Sequence, residues 1–197
     1  GALSHYGEDI PLACVGVISK VNILMLGFTL GISQGCQPIF SYNYGARQYS
    51  RVREAYRKAI VAASVICCIA FVCFQLFPRP IVALFDPSGS EEYFQFAERY
   101  FRIYMFMTLA NAFQPITANF FTSIGKAKRG ALIALTRQVI FLIPLILIFP
   151  LFLGIDGVMY AGPIADSAAV VVALALVTRE MKRMPHVDEP VAADTPV

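Results

Sequence analysis

Residues 59–78 read AIVAASVICCIAFVCFQLFP, with Arg57-Lys58 before them and Arg79 just after, and no charge between. A helix needs roughly 20 predominantly apolar residues to cross the hydrocarbon core of a bilayer, and this run supplies them. The rest of the chain repeats the pattern. Ile103 to Gly125 and Gln138 to Ile155 carry no charge, and Gly157 to Thr178 carries only Asp166. Val21 to Ala46 is also uncharged and continues back through Lys20 to Ile10. These runs predict five membrane spans, at about Ile10–Tyr42, Arg51–Phe77, Glu91–Ser123, Arg129–Leu153 and Asp156–Met184. Between the second and third, Pro78–Ser90 holds the apolar stretch Ile81–Phe85, too short to span and expected as an interfacial turn of helix.

Composition agrees with that reading. Of 197 residues, 57% are hydrophobic and 15% charged, and the mean hydropathy is +0.63. A soluble domain carries about 25% charged residues, so this chain lacks the polar material to coat a globule. Disorder needs low hydrophobicity and high net charge, and five Cys is an odd number for a disulfide scaffold. Backbone groups in lipid must satisfy one another, and long apolar runs do so as helices. The expected fold class is therefore all-α, a polytopic membrane helix bundle. Residues 1–184 are expected to form one transmembrane unit and 185–197, polar and Pro- and Ala-rich, a disordered cytoplasmic tail. Gly1 to Asp9, with no initiator Met, read as the outer end of an element belonging to a longer parent chain. No internal repeat is visible.

Orientation follows from Lys and Arg, which are in excess in cytoplasmic loops. Arg47, Arg51, Arg53, Arg57 and Lys58 follow the first span; Lys126, Lys128 and Arg129 separate the third and fourth; Arg179, Lys182 and Arg183 end the fifth. All fall on one side. The other side holds Glu8, Asp9, Asp86, Glu91, Glu92, Glu98 and Asp156, against Arg79, Arg99 and Arg102. The basic loops and the C-terminus are thus expected in the cytoplasm, and the net +3 is a topology signal rather than a nucleic-acid surface.

The cytoplasmic end of the first span is rich in special residues. Gly27, Gly31 and Gly35 lie four apart, a ridge on which another helix can approach closely. The string continues as Gly31-Ile32-Ser33-Gln34-Gly35-Cys36-Gln37-Pro38-Ile39-Phe40-Ser41-Tyr42-Asn43-Tyr44-Gly45-Ala46-Arg47, running on to Arg51-Val52. This string closely resembles the start of the second half of MATE (multidrug and toxic compound extrusion) transporters. His5-Tyr6-Gly7-Glu8-Asp9 is similar to the outer end of that family's seventh helix, and Gly125-Lys126-Ala127-Lys128 to its tenth-to-eleventh connection. Arg137-Gln138 with Pro144, Gly154-Ile155-Asp156-Gly157 and Pro163-Ile164-Ala165-Asp166 resemble its last two helices. The resemblance implies a twelve-helix parent in two six-helix lobes, of which this chain is the C-terminal one without most of its first helix. It further implies alternating-access export of organic, often cationic, drugs against Na+ or H+ in the cell (inner) membrane. The partners implied are membrane lipid, the N-terminal lobe of the same parent chain and small organic cations, with no cofactor beyond the coupling ion and no nucleic acid.

Polar residues at membrane depth are costly unless paired or wet, which makes them site candidates. On the third span Asn111, Gln114 and Thr117 lie at three-residue spacing, and Ala118 and Thr122 continue the stripe beyond Gln114. With Gln34 and Gln37 they are candidates to line a substrate cavity; the structural alternative is hydrogen bonding between helices. Tyr44, Phe113 and Phe121 are candidates to stack on an aromatic cation. Some drug-exporting members of the family carry an acidic cation ligand on this helix, whereas here no Asp or Glu lies between Glu98 and Gly125. Three ionisable residues lie deep: at about 1.5 Å per residue, Lys20 is some 15 Å from Ile10, Asp166 some 15 Å from Asp156, and Arg137 some 12 Å from Arg129. An ion pair of Asp166 with Lys20 or Arg137 offsets burial, serving either as a tie between helices or as a proton relay.

The five Cys lack metal-ligand spacing and read as small apolar residues. His5 and His186 fall at opposite faces. There is no Gly-rich phosphate loop, no H-E-x-x-H motif and no nucleophile with its base, so enzyme chemistry is not expected. Two alternatives to a drug exporter are a lobe of a lipid-linked carrier flippase, whose cavity needs more cations, and a non-transporting membrane scaffold.

Overall fold

The computed structural model describes residues 9–85, 87, 91–104, 108 and 110–188. The described segments are helical, joined by short turns. In chain order they are α1 (Asp9–Gly45), α2 (Tyr49–Leu76), α3 (Pro78–Phe85), α4 (Glu91–Tyr104), α5 (Ala110–Ser123), α6 (Ala127–Leu135), a π-helical segment (Thr136–Leu142), α7 (Ile143–Leu153) and α8 (Ile155–Arg183). Four stretches are long and apolar enough to cross a membrane: Ala13–Gly45, Tyr49–Leu76, Ala127–Leu153 and Tyr160–Arg183. They match the first, second, fourth and fifth expected spans.

The third expected span, Glu91–Ser123, is described in two parts, α4 and α5, each of 14 residues, with 105–107 and 109 between them outside the described residues. The expected interfacial turn after α2 is α3. The stub Gly1–Glu8 and the end of the tail, 189–197, lie outside the described residues. The first residues of the tail, expected to be disordered, are held against α2. Arg53 Nη2 donates to the Met184 carbonyl (2.7 Å) and the Pro185 carbonyl (2.9 Å), and the Ser50 N–H donates to Asp188 Oδ1 (2.8 Å).

α5 is the centre of the bundle, packed against α1, α2, α6 and α8. Two apolar cores form, one along α5 and one around α4. One joins Phe40, Val52, Tyr56, Phe120 and Phe121, with Phe120 meeting Phe40 edge-on at a centroid distance of 5.3 Å. The other joins Cys14, Ile18, Phe74, Val82, Tyr93 and Phe101 beneath α3. The outward faces remain apolar: Leu151 and Phe152 on α7 are 76% and 81% exposed. Such a surface suits the acyl chains of a bilayer.

Glycine decides the tightest crossings. A Cβ on Gly130 would lie 2.6 Å from the Ala118 carbonyl oxygen, and one on Gly157 2.5 Å from that of Phe149, so α6 crosses α5, and α8 turns back on α7, only without a side chain. At Gly27, Gly31 and Gly35, where the sequence predicts a close approach, a Cβ would meet nothing within 4 Å. That ridge is open to the outside of this chain.

Candidate functional site

A cavity of about 580 Å³ opens between α1, α5, α6 and the π-helical segment. α1 contributes Leu26, Leu30, Ser33, Gln34 and Gln37; α5 contributes Gln114, Pro115, Ala118, Asn119 and Thr122. α6 supplies only small side chains, Gly130, Ala131 and Ala134, and Arg137 closes one end. The close α5–α6 crossing at Gly130 and those alanines keep the space open. The wall mixes amides, which donate and accept, with apolar surface, the make-up of a small-molecule site. No carboxylate lines it among the described residues.

The wall is held by its own hydrogen bonds. Gln114, 8% exposed, donates from Nε2 to the Ile133 carbonyl on α6 (3.0 Å), leaving its amide oxygen as an acceptor. Asn119 Nδ2 donates to the Ser33 carbonyl (2.8 Å), and Ser41 Oγ to that of Ser123 (2.9 Å), so α1 is pinned to α5 along its length. Pro38 and Pro115 each withhold an N–H from the residue four before, which leaves the Gln34 carbonyl without its helical donor beside the cavity.

Arg137 reaches its place through the π-helical segment. Pro144 cannot donate to the Ile140 carbonyl, and just before it the Ile143 N–H bonds to Gln138, five residues back. The wider turn is the kind often found at functional sites. It presents Arg137 both to the cavity and to α8, where Nε pairs with Asp166 Oδ1. Both side chains are mostly buried.

The sequence candidates divide accordingly. Gln34, Gln37 and Gln114 line the cavity. Thr117 does not: it is fully buried, donates to the Phe113 carbonyl (2.8 Å) and shares a hydrogen bond with the Tyr56 hydroxyl (2.7 Å). The physical reason is rotation. Three residues turn a helix by about 300° and four by about 400°, so the face of Gln114 continues through Ala118 and Thr122 while Thr117 swings toward α2. Phe121 is fully buried in the core, Phe113 packs against it, and Tyr44 stacks edge-on to Tyr49 at 5.6 Å; none of the three lines the cavity. The Asn111 side chain lies outside the described set. Lys20 is exposed on α1 and takes no part in the ion pairs among the described residues, so Asp166 has Arg137, not Lys20, as its partner.

The Gly31–Arg47 stretch, the amide-lined cavity and the buried pair between the last two long helices all point one way. The family model for MatE matches residues 2–148. The chain belongs to the MatE family. It is 23% identical over 175 residues to the multidrug export protein MepA of Staphylococcus aureus strain bovine RF122 / ET3-1, covering 89% of this chain. It spans 38% of that relative's length. Among solved structures, an outward-facing MATE family multidrug resistance transporter of the MOP superfamily aligns with a TM-score of 0.84 at 19% identity, over 92% of this chain and 41% of that one. An inward-facing structure of such a transporter aligns with a TM-score of 0.77 at 19% identity, over 85% of this chain and 39% of that one. The MatE fold is therefore that of a multi-pass membrane bundle.

One constellation of this MatE chain escaped the sequence reading. Glu180, in the last turns of α8 and 1% exposed, is paired with Lys126 and Arg129 at the start of α6. The signal was present, since Glu180 is the sole acid among Arg179, Lys182 and Arg183.

Proposed function

We propose that this chain is one lobe of a secondary active multidrug transporter, which exports organic, often cationic, drugs in exchange for inward Na+ or H+ by alternating access. The observation that carries the reading is the cavity lined by Gln34, Gln37 and Gln114 at membrane depth, open on one side of the lobe. Amides in an apolar wall accept varied drugs, because each offers both a donor and an acceptor without a fixed charge. The open side, together with the unpartnered Gly27–Gly35 ridge, is where the N-terminal lobe of the parent completes the cavity. A flippase for pyrophosphate-linked carriers fits less well: it needs unpaired cations at the wall, and Arg137, the basic side chain lining this cavity, is already held by Asp166.

The test is ethidium efflux in cells stripped of their own exporters. The intact transporter carrying this lobe should lower retained dye in a manner abolished by collapsing the ion gradients, and this chain alone, reconstituted in liposomes, should give no ion-dependent flux. Robust flux from the chain alone sinks the two-lobe reading. The lobe is oriented with the Arg47–Lys58 region and the C-terminus in the cytoplasm. In a Cys-free background, Ser50→Cys should resist an impermeant thiol reagent applied from outside; labelling from outside overturns that orientation.

A further inference from the structure

We propose that the cavity wall selects organic cations whose charged nitrogen carries an N–H, such as protonated amines, over quaternary cations that carry none. The inference rests on the transport reading above and deepens it by naming the substrate class. Ser33 on α1 and Gln114, Asn119 and Thr122 on α5 line the cavity, and each spends a hydrogen on a helix carbonyl. Ser33 Oγ donates to the Pro115 carbonyl (3.4 Å) and Thr122 Oγ1 to that of Ala118 (3.1 Å). Gln114 Nε2 is anchored on the Ile133 carbonyl and Asn119 Nδ2 on that of Ser33.

A hydroxyl has a single proton, so Ser33 and Thr122 are left with lone pairs alone. In the two amides the nitrogen is the anchored end and the oxygen the unbonded one. Gln114 is the decisive case. More than nine-tenths of the residue is buried, yet its Oε1 accepts no hydrogen bond among the described residues and is not sealed from the cavity. The Gln34 carbonyl, deprived of its helical donor by Pro38, adds a further acceptor. By contrast, the side chains of Gln34 and Gln37 are exposed at the open edge and can turn either end of the amide to a ligand. The oxygens on α5 are held in place by the helices behind them.

Fixed acceptors discriminate by what they lose when a ligand expels their water. A cation with an N–H replaces that water with a charge-assisted hydrogen bond. A quaternary cation of the same charge displaces the water and returns no bond, so a buried acceptor is left unpaired. A site built to bond an N–H therefore rejects the analogue lacking it far more strongly than an apolar pocket rejects an added methyl group. Both cations gain equally from the dipoles of the oxygens, and the difference between them reads the N–H.

The test is binding to the purified intact transporter, by fluorescence polarisation at neutral pH, of two dyes. Acridine orange is a cation whose protonated ring carries an N–H; its ring-N-methylated quaternary derivative has the same charge and no N–H there. Wild type should bind the first about tenfold to hundredfold more tightly, the worth of a hydrogen bond to a charged group at about 1.4 kcal/mol per tenfold. Gln114→Met keeps the bulk and removes the oxygen, and should shrink that ratio by weakening the first dye while leaving the second unchanged. Thr122→Val, which removes an acceptor and no bulk, should shrink it in the same direction by less. Steric exclusion of the methyl group predicts instead the wild-type ratio in both variants. Each ratio compares two midpoints in one preparation, so a lower folded yield reduces the amplitudes without moving it. Equal affinities in wild type, or a ratio unchanged in both variants, overturn the proposal while the transport reading stands. If wild type binds neither dye, the transport reading itself fails.

Discussion

Asp166 and Glu180 lie on one helix, both buried and both paired with basic side chains, but they face opposite kinds of surroundings. Glu180 is 1% exposed, while its partners Lys126 and Arg129 are each about one-third exposed at the rim of the lobe. Among the described residues Asp166 is paired with Arg137, and that partner lines the cavity. The first arrangement ties α8 to the start of α6 where water is near. The second places a charge pair at membrane depth, about 21 Å further along the helix, where the low dielectric makes any imbalance felt by whatever fills the space. Burial of a carboxylate thus does not separate the two pairs; what the base touches does.

The largest expected effect follows from that difference. Asp166→Asn takes the carboxylate partner from Arg137 at depth, at about 3 kcal/mol, the low end for breaking a buried pair because Arg137 keeps some access to the cavity. It should lower the folded yield and the unfolding midpoint of the intact transporter more than any acid-to-amide change in a loop. Asp166→Asn/Arg137→Met removes both charges and should recover part of the loss. A wild-type midpoint for the single variant would mean that the pair carries no stability.

Glu180→Gln comes next. Lys126 and Arg129 can turn outward and rehydrate, so the expected loss is about 1–3 kcal/mol, the range for a buried polar group losing its partners. The comparison sharpens if the same variant leaves ethidium binding by the intact transporter unchanged, since Glu180 does not line the cavity. Weakened binding would break the distinction between the two pairs.

How far the sequence foretold this depends on which physical signal carried each feature. Helix positions were legible because lipid demands long uncharged runs: the first expected span, Ile10–Tyr42, is α1 at Asp9–Gly45, and the last, Asp156–Met184, is α8 at Ile155–Arg183. Gln34, Gln37 and Gln114 stood out because an amide at depth is costly. The π-helical turn that aims Arg137 was not legible, since hydropathy is blind to a single added residue per turn. Thr117 was placed on the cavity by a three-residue spacing that holds for neighbours on a helix surface but drifts off the face over successive steps. Phe121 was read as a ligand contact, yet an aromatic beside Phe120 and Ile116 fills a core just as well. The Gly27–Gly35 ridge was read as a surface for close helix approach, and among the described residues no helix meets it.

The smallest effect tests the rim alone. Asp188, beyond α8, accepts hydrogen bonds from the Ser50 hydroxyl and the Ser50 N–H, and these, with the nearby Arg53 charge, hold its carboxyl below the usual range. A carboxylate whose pKa is lower when docked binds fewer protons docked than released. Its tether is therefore complete above the ordinary Asp value of about 3.9 and is lost as pH falls through the lowered one. A spin label at Val187→Cys, an exposed position one residue away, should be restrained at neutral pH and become progressively more mobile as pH falls below the ordinary Asp value of about 3.9. With Asp188→Asn the label should be more mobile at neutral pH and insensitive to acid. If the label reads the same in both proteins at both pH values, Ser50 and Asp188 do not fasten the tail, and the rim of the lobe is held by Arg53 and Glu180 alone.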